Sequence, residues 1–232
     1  MKFETKVKEI LLRTYNVKSF RFPRPPSFMY KAGQFMFVTI KIGEEKAQKH
    51  FTISSSPTQT EFLEFTKKLT GHSFSDALDA LEVGDWAKLD APYGNFTLEG
   101  EFQKIGMLSG GIGITPLRSI CKYCTDMRLD TNIILLYGNR TEKDIVFRKE
   151  LEEMQEQNKN LKVVFTVSRP GESWRGYTQR IDTDMIEKEI PDYLERVFFI
   201  CGPPAMVEGM ENLLKDLNIP QENIKKENFP GY

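Results

Sequence analysis

Histidine and cysteine are scarce in this chain of 232 residues, which holds two of the first and three of the second. Three cysteines cannot supply the four ligands of an iron–sulfur cluster, and they argue against a structural zinc site. His50 and His72 stand near no nucleophile–base pattern, so a hydrolytic triad has no support. No apolar run approaches the ~18 residues that span a bilayer. The first residues, Met-Lys-Phe-Glu-Thr-Lys, lack the apolar core of a secretory signal, and the expected setting is the cytoplasm. Excess positive charge is missing too. Lys plus Arg is 32, Asp plus Glu is 33, and the net of −1 argues against a general nucleic-acid binder.

What is present is an ordinary globular composition, 40% hydrophobic and 28% charged, at a length that suits one large or two small domains. The chain changes character near residue 100. Before it come short β-rich segments at Phe3 to Leu12, Val17 to Phe22, Phe35 to Ile40, Phe51 to Ser54, Phe62 to Leu69 and Trp86 to Leu89. Turn residues separate them, as expected of a small antiparallel β-barrel or sandwich. One short helix is expected around Ser75 to Leu81, capped by Ser73 or Ser75. After residue 100, strands at Ile105 to Leu108, Asn132 to Tyr137, Lys162 to Val167, Arg196 to Ile200 and Ile224 to Glu227 alternate with helices. The helices are expected near Pro116 to Thr125, Phe147 to Asn158, Thr183 to Ile190 and Ala205 to Leu217. Such alternation implies an α/β doubly wound parallel sheet. The expected division is residues 1–99 and 100–232. Cys121-x-x-Cys124 falls well inside the first of these helices, whereas reactive pairs sit at a helix N-terminus, so it reads as two helix-face cysteines near the core.

The run Ile105 to Pro116 carries the strongest chemical signal. A buried strand leads into Gly110, Gly111 and Gly113, and Pro116 suits the first turn of a helix. A glycine-rich strand-to-helix turn offers backbone N–H groups and a helix N-terminus to a phosphate. A second such loop, Cys201-Gly202-Pro203-Pro204-Ala205-Met206, follows the strand at Val197 to Ile200. Two loops of this kind imply a nucleotide cleft at the carboxyl ends of a parallel sheet. In the β-rich half, Lys49-His50-Phe51-Thr52-Ile53-Ser54-Ser55-Ser56-Pro57 joins a cation, an aromatic ring and a row of hydroxyls. That combination suits a flat heterocycle bearing a phosphate, and equally a serine-rich turn after an edge strand.

Taken in order, these segments resemble the ferredoxin–NADP reductase superfamily over essentially the whole chain. The matching stretches are Ala32 to Phe35, Lys49 to Pro57, Gly71 to Leu78, Gly84-Asp85, Ala91 to Phe96, Gly110 to Pro116, Tyr137-Gly138-Asn139-Arg140, Cys201 to Met206 and Glu227-Asn228-Phe229. The resemblance implies a flavin-binding β-barrel followed by a nicotinamide-nucleotide domain. FAD is the expected flavin. Phe51, where the family usually has tyrosine, would pack on the isoalloxazine, and Thr52 would bond its N5. Lys49 stands in place of an arginine that grips the flavin phosphate. It is a point charge rather than a bidentate fork, which leaves FMN open. His50, Ser56, Phe74 and Ser75 belong to the same implied site, Ser75 through backbone N–H groups. Gly110, Gly111, Gly113 and Thr115 would form the pyrophosphate turn. Cys201 would lie beside the nicotinamide C4, with Gly202, Pro203 and Met206 after it. Glu227 and Phe229 match an acidic–aromatic pair at the flavin edge, and Tyr232 matches a terminal aromatic that covers the flavin in some members. Arg140 belongs to the implied cofactor site, and the pair Ser168-Arg169, then Arg175 and Tyr177, resemble the NADP-using branch, so NADPH is expected ahead of NADH.

By the same resemblance Thr52, Cys201 and Glu227 would be catalytic in a hydride transfer from NADPH to the flavin. The acceptor would be external. Residues 1–50 hold eleven Lys or Arg and four Glu, a net of +7 against −8 for the rest. A basic flavin half would steer an acidic carrier such as ferredoxin or flavodoxin. An NAD(P)H:flavin or quinone reductase, an oxygenase reductase component, an electron-relay subunit and a flavin-free binding module stay open as alternatives.

Overall fold

Alternation of side chains builds the first half of the chain. In β4 (Phe35–Ile42), Met36, Val38 and Ile40 are fully buried while Phe37 and Lys41 point the other way, the period of a strand with one covered face. A computed structural model describes residues 1–98 and 100–229 of the protein, so Glu99, at the expected division, and Tyr232, the expected cover of the flavin, lie outside the described part. Two antiparallel sheets pack face to face. One has the order β1 (Lys2–Lys6), β7 (Trp86–Tyr93), β4, β5 (Glu45–Thr52). The other is β2 (Glu9–Thr14), β3 (Val17–Pro23), β6 (Phe62–Lys68). Between them lies a largely aromatic core. Phe65 stacks on Phe20 at 5.0 Å and on Phe51 at 4.6 Å, and Phe22, Phe28 and Phe74 join the same cluster.

The expected strand at Phe3 to Leu12 is two strands. β1 pairs with β7 and β2 pairs with β3, and the chain crosses from one sheet to the other at Val7 and Lys8. There Val7 N–H bonds Asp85 C=O and Lys8 N–H bonds Arg21 C=O. The short helix α1 (Ser73–Asp79) starts earlier than expected, with His72 at the N-cap position and no side-chain cap. Ser75 is not the cap; its Oγ accepts the Thr70 N–H at 2.8 Å.

The second half is a five-stranded parallel sheet of order β10 (Leu161–Val167), β9 (Asn132–Asn139), β8 (Lys104–Gly110), β11 (Val197–Gly202), β12 (Ile224–Asn228). The helices α2 (Ile114–Asp126) and α3 (Arg148–Gln157) cover one face. The opposite face is covered by α4 (Thr183–Glu189) and α5 (Pro204–Asp216). Cys121 and Cys124 lie on the buried face of α2, fully inside, and burial raises both thiols, Cys124 to about 12. They are packing residues. Strand order reverses between β8 and β11, so the loops after these two strands open side by side.

One buried charge cluster joins the halves. Glu64 on β6 has no exposed surface and faces three guanidiniums: Arg13 at 2.9 Å, Arg21 at 2.8 Å and Arg118 of α2 at 3.6 Å. Arg13 reaches on to Glu150 of α3 at 2.7 Å, and Arg118 meets the same carboxylate at 2.6 Å. Burial alone would raise the Glu64 carboxyl, yet Arg118, Arg13 and Arg21 together hold it below its ordinary value. Removing one member of a buried ion cluster strands the others. Glu64→Ala is therefore expected to destabilise the protein by about 3–5 kcal/mol in denaturant unfolding. A loss below about 1 kcal/mol would mean that water screens the cluster.

Candidate active site

A cavity with both charged and aromatic walls opens where the two halves meet, at the carboxyl end of β12 and the last residues of β5. Its volume is about 420 Å³, and Lys49, His50, Phe51, Thr52, Thr66, Lys67, Thr115, Glu227 and Phe229 are among its walls. The β5 pleat sorts the first four. Phe51 turns inward and is 7% exposed, its ring 5.9 Å from Phe74, while Lys49 on the same side sets its Nζ 5.5 Å from the Phe74 ring. His50 and Thr52 turn to the other face. His50 sits among Phe35 and Phe37 at 5.4 and 6.0 Å, a half-open aromatic wall that Tyr93 extends.

Two polar atoms on this cavity are buried without a hydrogen-bond partner: Thr52 Oγ1 and Glu227 Oε2. Buried polar groups are nearly always satisfied, so two orphans on one cavity mark it as built for a polar ligand. Burial pushes the Glu227 carboxyl up from 4.5 to about 7, which places its protonation change near neutrality. Glu227 lies opposite Cys201 in the β11–β12 pairing. Burial and the neighbouring Glu227 hold the Cys201 thiol well above its ordinary value, so it is a neutral thiol and not a thiolate; it is fully buried behind Glu227 and is not itself a wall of the cavity.

Lys67 is a wall residue that the sequence reading missed. It is 8% exposed, and burial followed by repulsion from Lys49 lowers its amine to about 8. Two cations at one end of a cavity favour an anion there, and a flavin phosphate is such a group. A pleated strand with a Lys-Lys ending gives no local hint that one of the two points inward. The residues fit a flavin: an aromatic face at Phe51, an orphan hydroxyl at Thr52 and paired cations at Lys49 and Lys67.

The glycine loops divide their labour. A Cβ on Gly113 would lie 2.4 Å from the Cys201 carbonyl oxygen, and one on Gly110 would lie 2.2 Å from Met206 Sδ. Gly113 meets the Cys201 and Gly202 backbone, so its requirement is the close packing of the β8 and β11 loops, whereas at Gly110 and Gly202 the only close approach is to the movable end of the Met206 side chain. Gly111 differs, with φ +53° and open space where a Cβ would be. Its carbonyl accepts the buried Tyr137 hydroxyl at 2.8 Å, which fixes the peptide ahead of α2. The Ile114 N–H is taken by the carbonyls of the preceding turn, at Gly111 and Ile112, and Thr115 is the α2 residue that lines the cavity. Phe229 N–H bonds the Gly202 carbonyl and carries the Phe229 ring to the cavity.

Other expected residues stand apart. Ser56 Oγ pairs with Thr58 Oγ1 at 2.7 Å and is not a wall residue. Arg140, Ser168 and Arg169 are exposed and come together because the Ser168 and Arg169 amides bond the carbonyls of Asn139 and Arg140. Arg175 and Tyr177 line a second cavity of about 630 Å³ on the open β10 edge, with Arg148 and Trp174. Arg175 Nη1 donates to the Glu172 carbonyl at 2.7 Å, and the Tyr177 hydroxyl is taken by Glu189. Among the described residues no His, Cys, Asp and Glu cluster could hold a metal, and no helix is long and apolar enough to cross a membrane.

Residues 3–98 match the family described as an oxidoreductase FAD-binding domain, and residues 107–212 match an oxidoreductase NAD-binding domain. The chain is 31% identical over 229 residues to the glycine betaine monooxygenase reductase subunit of Chromohalobacter salexigens, covering 95% of this chain and 62% of that one. It thus spans less than two thirds of that relative. It is 30% identical over 230 residues to NADH-cytochrome b5 reductase 1 of Dictyostelium discoideum, covering 96% of this chain and 80% of the relative. The fold matches a ferredoxin NADP+ reductase from Neisseria gonorrhoeae, solved with FAD and NADP, at TM-score 0.84 and 22% identity over 98% of each chain.

The raised Glu227 carboxyl has a consequence for stability. Between about pH 4.5 and pH 7 the folded chain keeps a proton that the unfolded chain has released, so this group lowers stability as pH climbs through that window. Glu227→Gln removes the effect. Its melting temperature should match the wild type near pH 4 and exceed it above about pH 8. A difference that does not change with pH would contradict the raised carboxyl.

Proposed function

Because the chain belongs to the ferredoxin–NADP reductase superfamily of flavoprotein oxidoreductases, with an FAD-binding and an NAD-binding domain, we propose that it is an NAD(P)H-oxidising reductase that serves an external electron acceptor. The observation that carries this reading is the cavity at the junction of the two halves, where Thr52 Oγ1 and Glu227 Oε2 are buried without partners. When bound, a flavin supplies a group that takes two electrons from a dihydronicotinamide and returns them singly or in pairs.

In this reading each half contributes binding and orientation. Phe51 offers the packing face, Thr52 Oγ1 the orienting hydrogen bond, and Lys49 with Lys67 the positive end that takes phosphate. Thr115, at the start of α2, meets the pyrophosphate of the nicotinamide nucleotide. Cys201, small and neutral, backs the nicotinamide site without competing as a nucleophile. Glu227 holds or releases a proton close to neutral pH. Phe229 and the closely packed glycine loops keep water from the junction.

NADPH is the proposed nucleotide. Arg140, Ser168 and Arg169 converge at the ends of β9 and β10, where a 2′-phosphate would meet two guanidiniums and a hydroxyl. Arg175 and the ring of Tyr177 stand further along the same loop. Anaerobic bleaching of the yellow protein should be faster with NADPH than with NADH, and Arg169→Ala should erase about tenfold of that preference. Faster bleaching by NADH would overturn the NADPH assignment, and a colourless protein that binds neither FAD nor FMN would overturn the flavoenzyme reading.

An acidic carrier such as ferredoxin or flavodoxin is the proposed acceptor. The basic excess of residues 1–50 is smaller at the surface than its count implies, because Arg13, Arg21, Lys2 and Lys18 are ion-paired. Lys41, Lys46 and Lys49 remain exposed on the β4–β5 hairpin and lead to the cavity. Reduction of an acidic carrier should slow steeply with added salt. Turnover indifferent to salt, with free flavin or a quinone as the better acceptor, would favour the flavin or quinone reductase reading.

A further inference from the structure

Helix α2 touches both proposed cofactor sites within little more than one turn. Thr115, in its first turn, is a wall of the junction cavity together with Thr52. One turn later, Arg118 and Ser119 grip the chain that leaves the flavin wall. Arg118 Nη1 donates to the Ser54 carbonyl at 2.5 Å, and Ser119 Oγ donates to the Ser55 carbonyl at 2.7 Å. Ser54 follows Thr52 by two residues. The segment is held from its other side by Glu64, whose carbonyl accepts the Ser54 N–H at 2.7 Å and whose N–H donates to Ser55 Oγ at 3.0 Å.

The grip is made rigid by charge. Arg118 is 2% exposed and directs Nε and Nη2 at Glu150 Oε2, at 3.0 and 2.6 Å, while Nη1 faces Ser54 and Glu64. Arg13 crosses in the opposite sense, from β2 to Glu150. Both guanidiniums lie 4.9 Å from the ring of Phe147, the residue that precedes α3. Two arginines from opposite halves thus share one carboxylate and one aromatic ring, in a setting largely closed to water. Planar, multiply bonded guanidinium pairs resist both sliding and rotation.

We propose that Arg118 and Ser119 form a latch that sets the distance between the nicotinamide and flavin sites, with Glu64 and Glu150 as its anchors. This rests on the reductase reading for its catalytic meaning, though the latch itself is a property of the protein alone. Arg118 and Ser119 are positioning residues, since neither is a wall of the cavity. A misplacement of about 1 Å between reacting groups costs on the order of a hundredfold in rate. Loss of the latch should therefore lower the rate of flavin reduction at saturating nucleotide while leaving nucleotide affinity nearly unchanged.

The test measures geometry and kinetics separately. The native cysteines, Cys121, Cys124 and Cys201, are fully buried, so spin labels can be directed to new cysteines at the exposed Glu44 and Glu187. Glu44→Cys and Glu187→Cys should give one narrow distance distribution without any added cofactor. Adding Arg118→Met should broaden or shift it, and Arg118→Lys should restore it only in part, because one ammonium replaces the three nitrogens that Arg118 spreads between Ser54 and Glu150. Ser119→Ala, which removes a single hydrogen bond, covers the case in which Arg118→Met fails to fold and should broaden the distribution to a smaller degree. Stopped-flow reduction should fall about tenfold or more in Arg118→Met, with a nucleotide KM within about twofold of wild type. An unchanged distance distribution with an unchanged limiting rate in Arg118→Met, or in Ser119→Ala should that variant stand in for it, overturns the latch. If the unsubstituted protein oxidises neither NADPH nor NADH, the reductase reading falls, and the distance distributions still decide the latch.

Discussion

Glu64 is fully buried on β6, and guanidiniums from β2, β3 and α2 converge on it. A carboxylate so placed is tolerable only with its partners present, because desolvating an unpaired charge costs several kcal/mol. That requirement reaches across the molecule. Arg118 belongs to the parallel-sheet half, so burial of Glu64 and docking of α2 are one event. Arg13 and Arg118 both continue to Glu150, which extends the dependence to α3. The relative placement of the two sheets follows from satisfying these charges as much as from burying apolar surface between them.

The junction cavity takes its character from that placement. Its walls come from both halves: Phe51, Thr52 and Lys67 from the antiparallel sheets, and Thr115, Glu227 and Phe229 from the parallel one. Each half alone leaves an incomplete site. Brought together, they enclose two unpartnered polar atoms and a carboxyl that titrates near neutrality, while the Cys201 thiol beside it stays protonated. The β8 and β11 loops meet so closely at Gly113 and Cys201 that neither loop could shift without the other. This is preorganisation in the sense that a bound cofactor would find its polar partners already in position.

The parallel sheet was legible because its signals are local. Short apolar runs such as Ile105 to Leu108 and the helical spacing of residues in α3 identify their elements without reference to the rest of the chain. The Lys49 to Thr52 segment and the glycine loops were legible from composition and order. What could not be read were partners distant in sequence. Arg13 meets Glu150 and Glu64 meets Arg118, and no local pattern distinguishes these from ordinary surface charges. Lys67 escaped for the same reason. The +7 of residues 1–50 suggested a basic face, yet Arg13 and Arg21 turn to buried and half-buried carboxylates instead. Gly113 is constrained by the Cys201 backbone, where the motif suggested approach by a ligand.

Amide hydrogen exchange under mild denaturant bears most directly on the claim that one buried cluster unites the two halves. The amides of Ser54, from the flavin side, and of Ile120 and Cys121 on α2 are the reporters. If the cluster couples the halves, these amides lose protection together, with one opening free energy and one denaturant dependence. Separate transitions, with α2 remaining protected after Ser54 exchanges freely, would show two independently stable units and contradict the account.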